Sequence, residues 1–303
     1  MSNEGVTVLI AGSGIMGRAI ARTFADAGIA TAILSRNPTA VGDLAPGVTV
    51  VGALPTVAPA LIIESIPEQM PLKLAFNQSV EDAYGGKTIL ASNTSSLPLQ
   101  DMADHLQHPK AFCGIHYFQP ADLTPLVELA RVAGTADATL RQAQNLLERS
   151  GKKVVVLQRP VQGLLINRLQ HAILNEAYHM IDSGLCTAAD VDLAAKELLG
   201  PRMSVTGLIE QKDLSGLDTH ARAQIELVPA LDQSGVAARV IRQKLDDNQL
   251  GIKTGAGFYR WQGIDLDAYR RQAGQLLSDV INRLDQGRPT PPPLVDPPTE
   301  PDP

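Results

Sequence analysis

The stretch that most restricts the fold is Val6-Thr7-Val8-Leu9-Ile10-Ala11, followed at once by Gly12-Ser13-Gly14-Ile15-Met16-Gly17. A short apolar, β-branched run reads as a buried strand. Ile15, Ala19, Ile20, Ala21 and Phe24 then recur at helical spacing until Gly28, and Thr31-Ala32-Ile33-Leu34 opens a second strand. In this context each glycine has a mechanical purpose: Gly12 for a tight turn, Gly14 for close approach of a pyrophosphate, Gly17 for packing the helix on the strand. The free amides and partial positive charge at the helix start suit an anion. Gly12, Gly14, Ile15, Met16 and Gly17 are therefore expected to hold a dinucleotide; a turn that merely needs small residues is the competing reading.

The end of the second strand bears on which dinucleotide. A carboxylate there would hydrogen-bond the ribose of NAD. This chain has Ser35-Arg36-Asn37 instead. Without an acid nothing repels a 2′-phosphate, and Arg36 can pair with one, so Ser35 and Arg36 lean the reading to NADP over NAD. The alternative leaves Arg36 as a solvated loop residue or stacked on the adenine of NAD.

Further along, Asn37 to Ala60 is broken by Pro38, Pro46, Pro55 and Pro59 and has room for one short strand, Val48 to Val51. Leu61-Ile62-Ile63 and Thr88 to Ala91 read as buried strands, with a helix over Leu72 to Ala83 between them. Small polar residues Ser92 to Ser96 follow, where ligands sit in open α/β sheets. Thr135 to Arg149 reads as a helix and Lys153 to Leu157 as a strand. Past Pro160 the pattern is helical: Leu164 to Ile181, a helix opened by Thr187, Leu208 to Leu214, Thr219 to Leu231, Ala237 to Leu245 and Leu266 to Leu284. The expected class is α/β: an N-terminal Rossmann-type doubly wound sheet over residues 1–160, then an all-α domain over 161–286. A proline-rich tail, 287–303, is expected to be disordered.

Composition narrows the function. A net charge of −6 offers no basic field for nucleic acid or an anionic membrane, and aromatics are only 4%. No apolar run approaches a membrane span, and no signal segment is expected at the start of the chain. With two cysteines outside any metal-spaced cluster, reduced thiols in the cytoplasm are expected and no metal site is. No Ser sits in a G-x-S-x-G elbow.

The candidate chemistry lies at His116 and Glu128, twelve positions apart, each at the end of a short apolar run. An imidazole can take or give a proton near neutrality, and a carboxylate can fix its tautomer and stabilise its cation. If the two runs are neighbouring strands, the side chains meet at the sheet edge. Histidines 105, 108, 171, 179 and 220 read as surface or core residues.

Taken together these residues resemble the L-3-hydroxyacyl-CoA dehydrogenase family over nearly the whole chain apart from the tail. The glycine fingerprint, Ser92-Asn93-Thr94-Ser95-Ser96, His116-Tyr117-Phe118-Gln119-Pro120, Leu126-Val127-Glu128, Ile166-Asn167-Arg168-Leu169 and Lys253-Thr254-Gly255-Ala256-Gly257-Phe258-Tyr259 stand in the family's order. The resemblance implies that His116 is the general acid/base and Glu128 its partner. It implies that Ser95 and Asn167 hold the reacting oxygen and the imidazole, and that Glu68, Lys73 and Asn93 lie along the coenzyme. It also implies a homodimer through the helical domains, an acyl-thioester or small-molecule substrate, and a place in fatty-acid metabolism. Substituting Gln for Glu128 is expected to act more mildly than loss of His116.

Three departures qualify it. Gln119 replaces Asn before Pro120. Ser35-Arg36 replaces the usual acid. The CoA-facing helical hairpin is shortened to the proline-broken stretch 37–60. The last favours a smaller substrate or a differently held carrier, such as a free hydroxy acid or a carrier-protein thioester. The alternatives are a dehydrogenase of another small hydroxy acid or alcohol on the same scaffold, and a non-catalytic coenzyme-binding protein.

Overall fold

The structure is a computed structural model that describes residues 5–293 and 295; most of the proline-rich tail lies outside the described residues. Two compact units divide between Leu169 and Gln170.

The first unit is built on eight strands: β1 (Val8–Ala11), β2 (Thr31–Leu34), β3 (Val48–Val51), β4 (Leu61–Glu64), β5 (Ile89–Ser92), β6 (Phe112–Tyr117), β7 (Leu126–Ala130) and β8 (Lys153–Leu157). They lie in the order β3-β2-β1-β4-β5-β6-β7-β8. β1, β4 and β5 are buried at every position, as the unbroken apolar runs required. Neighbours are parallel except β6 and β7, which run antiparallel. The chain leaves β1 toward β2 and β3, then returns to β4 on its other side. That reversal opens a crevice beyond the carboxyl ends of β1 and β4, where ligands bind in such sheets.

Four helices belong to this unit: α1 (Ile15–Asp26), α2 (Met70–Tyr84), α3 (Leu99–Asp104) and α4 (Asp137–Arg149). Ile20, Ala21 and Phe24 of α1 pack with Leu140, Ala143 and Leu147 of α4 into a core containing Val8, Ile10 and Ile63. Val80, Met102 and Leu164 join a second core containing Leu9, Ile62 and Phe112. α3 is shorter than two turns and has no clear periodicity, so the sequence did not disclose it. Between β2 and β4 the described residues form no α-helix, only a 3-10 turn at Pro38–Ala40 and β3.

α5 (Leu164–Asp182) runs from the first unit into the second. The second unit continues with α6 (Ala188–Ala194), a π-helical segment Ala195–Leu199, α7 (Gly200–Thr206), α8 (Glu210–Ser215), α9 (Leu217–Leu227), α10 (Arg239–Asp246) and α11 (Leu266–Gly287). Thr187 and Asp190 form the reciprocal cap that opens α6. The expected helix over 219–231 ends earlier, because Pro229 lacks the amide that would extend it and a 3-10 turn takes over at Val228. No helix among the described residues is long and apolar enough to cross a membrane.

Candidate active site

The glycine turn meets the steric demands read from its sequence. Gly12 has φ +118°, and a Cβ there would lie 2.4 Å from the Ser65 carbonyl oxygen. A Cβ on Gly17 would lie 1.9 Å from the Gly12 carbonyl oxygen, so the helix can sit this close only without one. At Gly14 a Cβ would meet nothing within 4 Å, leaving the approach to the α1 amides open. No acid occupies the first turn of α1 and no side chain caps it. A pyrophosphate therefore fits here, with its charge facing unpaired amides.

Beside the turn, Ser35 is buried, its hydroxyl 3.2 Å from Ser13 Oγ and accepting from the Asn37 amide at 3.2 Å. Arg36 is exposed and has no carboxylate partner among the described residues.

At the ends of β4 and β5 the chain places a charge cluster. Glu64 closes the apolar run Leu61-Ile62-Ile63 and is fully buried. Its Oε1 accepts from Lys73 Nζ at 2.5 Å and from the Ile66 amide at 3.0 Å, and its Oε2 accepts from Ser92 Oγ at 2.7 Å. Lys73 is itself buried and reaches Glu68 Oε2 at 3.2 Å. Its ammonium thus lies between two carboxylates rather than at the surface. Glu68 Oε1 accepts from Thr94 Oγ1 at 2.5 Å and from the Ser95 and Ser96 amides at 3.1 and 3.2 Å. Burial alone would raise the Glu68 carboxyl. The Thr94 hydroxyl, the Lys73 charge and the Ser96 amide outweigh it and hold the group below its ordinary range. Asn93 ties three strand ends together, accepting from the Tyr117 amide at 2.8 Å and donating to Ser65 Oγ at 3.3 Å.

The antiparallel register sets His116 directly opposite Glu128. Nδ1 of His116 and Oε2 of Glu128 are 2.7 Å apart. Glu128 is fully buried, and its Oε1 accepts from the backbone amides of Leu165 and Ile166, each at 2.8 Å. A buried carboxylate needs such donors, and here the first turn of α5 supplies them. The Phe118 ring packs edge-on against the imidazole, centroids 4.5 Å apart. With Nδ1 engaged, Nε2 is the nitrogen left for a substrate. Ser95 is exposed and Asn167 half-buried; neither side chain hydrogen-bonds a described residue. A cleft of about 210 Å³ lies beside Ser95, lined by Leu97, Pro98, Val161 and Gln162 among others.

Sequence reasoning picked out His116, Glu128, Glu68, Lys73 and Asn93 but missed Glu64, Thr94 and the α5 amides. An acid closing a wholly apolar strand was the signal for Glu64. Backbone amides leave none. Among the described residues no cluster could hold a metal ion.

Residues 52–160 match the model of the 3-hydroxyacyl-CoA dehydrogenase NAD-binding domain, and residues 163–261 match that of the 3-hydroxyacyl-CoA dehydrogenase C-terminal domain. The first match begins beyond the glycine turn. A 5-formyl-3-hydroxy-2-methylpyridine 4-carboxylate 5-dehydrogenase of Mesorhizobium japonicum is 26% identical over 228 residues, 75% of this chain and 74% of its own. A solved structure of an enzyme of that name, described as an NAD+-dependent dismutase, superposes with a TM-score of 0.84 at 24% identity, covering 93% of this chain and 99% of its own. The 3-hydroxyacyl-CoA dehydrogenase of Archaeoglobus fulgidus gives 0.67 at 27% identity, over 92% and 99%. With both domain models matched in order over more than half of its length, this chain belongs to the 3-hydroxyacyl-CoA dehydrogenase family and is an oxidoreductase with an NAD-binding domain.

Proposed function

We propose that the chain interconverts a hydroxyl and a carbonyl on a compact substrate, with His116 as the proton carrier and Glu128 as its partner. The observation that carries this is the 2.7 Å contact between His116 Nδ1 and a fully buried Glu128. A bound nicotinamide coenzyme supplies the hydride acceptor or donor. For oxidation, neutral His116 takes the hydroxyl proton on Nε2 while Glu128 stabilises the imidazolium. For reduction, the protonated ring returns that proton to the developing alkoxide. Ser95 and Asn167, whose side chains bond no described residue, are the groups we assign to orienting the reacting oxygen.

Two features favour a compact substrate over one held by its CoA. The stretch from Asn37 to Ala60 carries no helical hairpin on which a CoA moiety could lie. The fold also follows the pyridine carboxylate enzyme more closely than it follows the Archaeoglobus dehydrogenase. A carboxylate-bearing hydroxy acid, alcohol or aldehyde is the substrate class we favour, and 3-hydroxyacyl thioesters are the second reading. For the coenzyme we favour NADP: Arg36 is exposed with no acidic partner, and Ser35 stands where an acid would exclude a 2′-phosphate. We assign residues 1–160 to coenzyme binding and 161–286 to substrate binding and dimerisation.

The test is a panel of 3-hydroxybutyrate, 3-hydroxybutyryl-CoA and pyridine carboxylates bearing alcohol or aldehyde groups, run with both coenzymes. Replacing His116 by Gln should lower kcat on the substrate found by about 10² to 10⁴ and leave coenzyme binding nearly unchanged. An undiminished kcat removes His116 from the mechanism, and coenzyme binding without turnover of any substrate would favour a sensor.

A further inference from the structure

Leu164 has a left-handed backbone, φ +51°, and is one of two non-glycine residues with positive φ among those described. Leucine adopts this region rarely, because its Cβ crowds the following carbonyl. Such a conformation persists where the surroundings over-determine it, and it clusters at functional sites. Two constraints do so here. The Leu164 side chain is buried in the core with Leu9, Leu99, Phe112, Ala130 and Val132. Just before it a tight turn closes through the Leu164 amide and the Val161 carbonyl at 2.9 Å, with Gly163 at φ +80°.

The next two amides, of Leu165 and Ile166, both reach Glu128 Oε1. A residue of ordinary helical backbone at 164 would change the direction in which the chain enters α5, and with it the aim of those amides. We infer that Leu164 is the positioning residue of the His116–Glu128 pair: its left-handed backbone aims two amides at one carboxylate oxygen, and its buried side chain locks that aim. With Oε1 saturated, Oε2 alone is left for Nδ1, which fixes the face that the imidazole presents. A glycine would allow the backbone without strain but would leave the amides free to swing. The inference rests on the acid/base reading of the pair, and its test is read without turnover.

The test compares two nearly isosteric substitutions in the full-length, coenzyme-free protein. Leu164→Met, like leucine, has no branch at Cβ, so its tolerance for positive φ matches that of leucine. Leu164→Ile keeps the volume, but its β-branch is poorly accommodated there. The NMR position of the His116 Cε1–H signal, assigned with His116→Gln, reports the surroundings of the ring. Hydrogen exchange at Leu165 and Ile166 reports the amides. The Met variant should match the wild type. In the Ile variant both amides should exchange about tenfold faster or more. Its His116 Cε1–H signal should move away from the wild-type position, because the carboxylate facing the ring is no longer held by two amides.

A purely core-packing role would move the two variants alike, and equal behaviour overturns the inference. Should the Ile variant fail to fold, Leu164→Asn tolerates the left-handed region but removes the anchor. Faster exchange at both amides then supports the inference, and unchanged exchange overturns it. If His116→Gln retains activity while these readouts behave as expected, the acid/base reading fails and the positioning of Glu128 stands.

Discussion

Replacing Glu128 by Gln tests the site most directly, because the structure dictates how the carboxamide must sit. Oε1 of Glu128 accepts two backbone amides at 2.8 Å, so only the oxygen of a glutamine can occupy that place. Its NH2 group is then turned toward His116 Nδ1, 2.7 Å away in the native pair. A donor there requires an acceptor on Nδ1, which puts the ring proton on Nε2, the nitrogen meant to receive a proton from the substrate. The sequence alone suggested a mild effect from loss of charge. The amide pair makes it a tautomer inversion instead. General acid/base help is worth about 10² to 10⁴, and a wrong tautomer forfeits the upper end of that range, about 10⁴ or roughly 5.4 kcal/mol of barrier. The assay is single-turnover oxidation at neutral pH, with coenzyme affinity measured by fluorescence and a thermal melt to confirm folding. Coenzyme affinity should be nearly unchanged. A folded variant within threefold of the wild-type rate would refute the reasoning.

Arg36→Ala should lower kcat/KM with NADP by about 10-fold or more while sparing NAD, as loss of a charge-assisted phosphate contact implies; wild-type preference for NAD would reverse the coenzyme proposal. Glu68 ties the Ser95 loop to Lys73, and its depressed carboxyl gives a pH signature. The stability it contributes is present above the carboxyl's unfolded pKa and is lost as pH falls through the lower folded value. Melts of wild type and Glu68→Gln should therefore converge as the solution is acidified below that window; a gap that persisted there would contradict the assignment.

How much was legible follows from which interactions leave a trace in side-chain order. β1, and β4 and β5 up to their last residues Glu64 and Ser92, are apolar runs because both faces of the sheet are covered, so they could be read directly. The pairing of His116 with Glu128 was legible because each ends an apolar run, and only strand direction was needed to bring them together. The donors on Glu128 were not, since a backbone amide has no sequence signature and Leu164 sits where a left-handed residue is least expected. Lys73 was expected to lie along the coenzyme. Its partner Glu64 was not legible, because the burial of that acid depends on the tertiary placing of α2 over the end of β4.

The helical unit presents a separate physical problem. Among its described residues only Ala177 is buried, while Leu193, Leu198, Ile209, Leu214, Ile225 and Leu276 are exposed. An apolar face on nearly every helix cannot be left in water, because each buried leucine or isoleucine side chain is worth about 1.5 to 3 kcal/mol and ordering the chain costs about as much per residue. One apolar groove of about 430 Å³ gathers Ile241, Leu245, Phe258 and Trp261, but Leu193, Leu198, Ile209, Leu214, Ile225 and Leu276 lie outside its lining. Exposed apolar faces of this extent are the pattern of an obligate interface with a second copy. We therefore expect a homodimer whose stability cannot be separated from its assembly, with unfolding that shifts to higher temperature as protein concentration rises. Light scattering should give about twice the 32.2 kDa chain mass down to the concentration at which the helical signal is lost. A folded monomer with a concentration-independent melt would show that these faces are satisfied within one chain, and the homodimer proposal would fall.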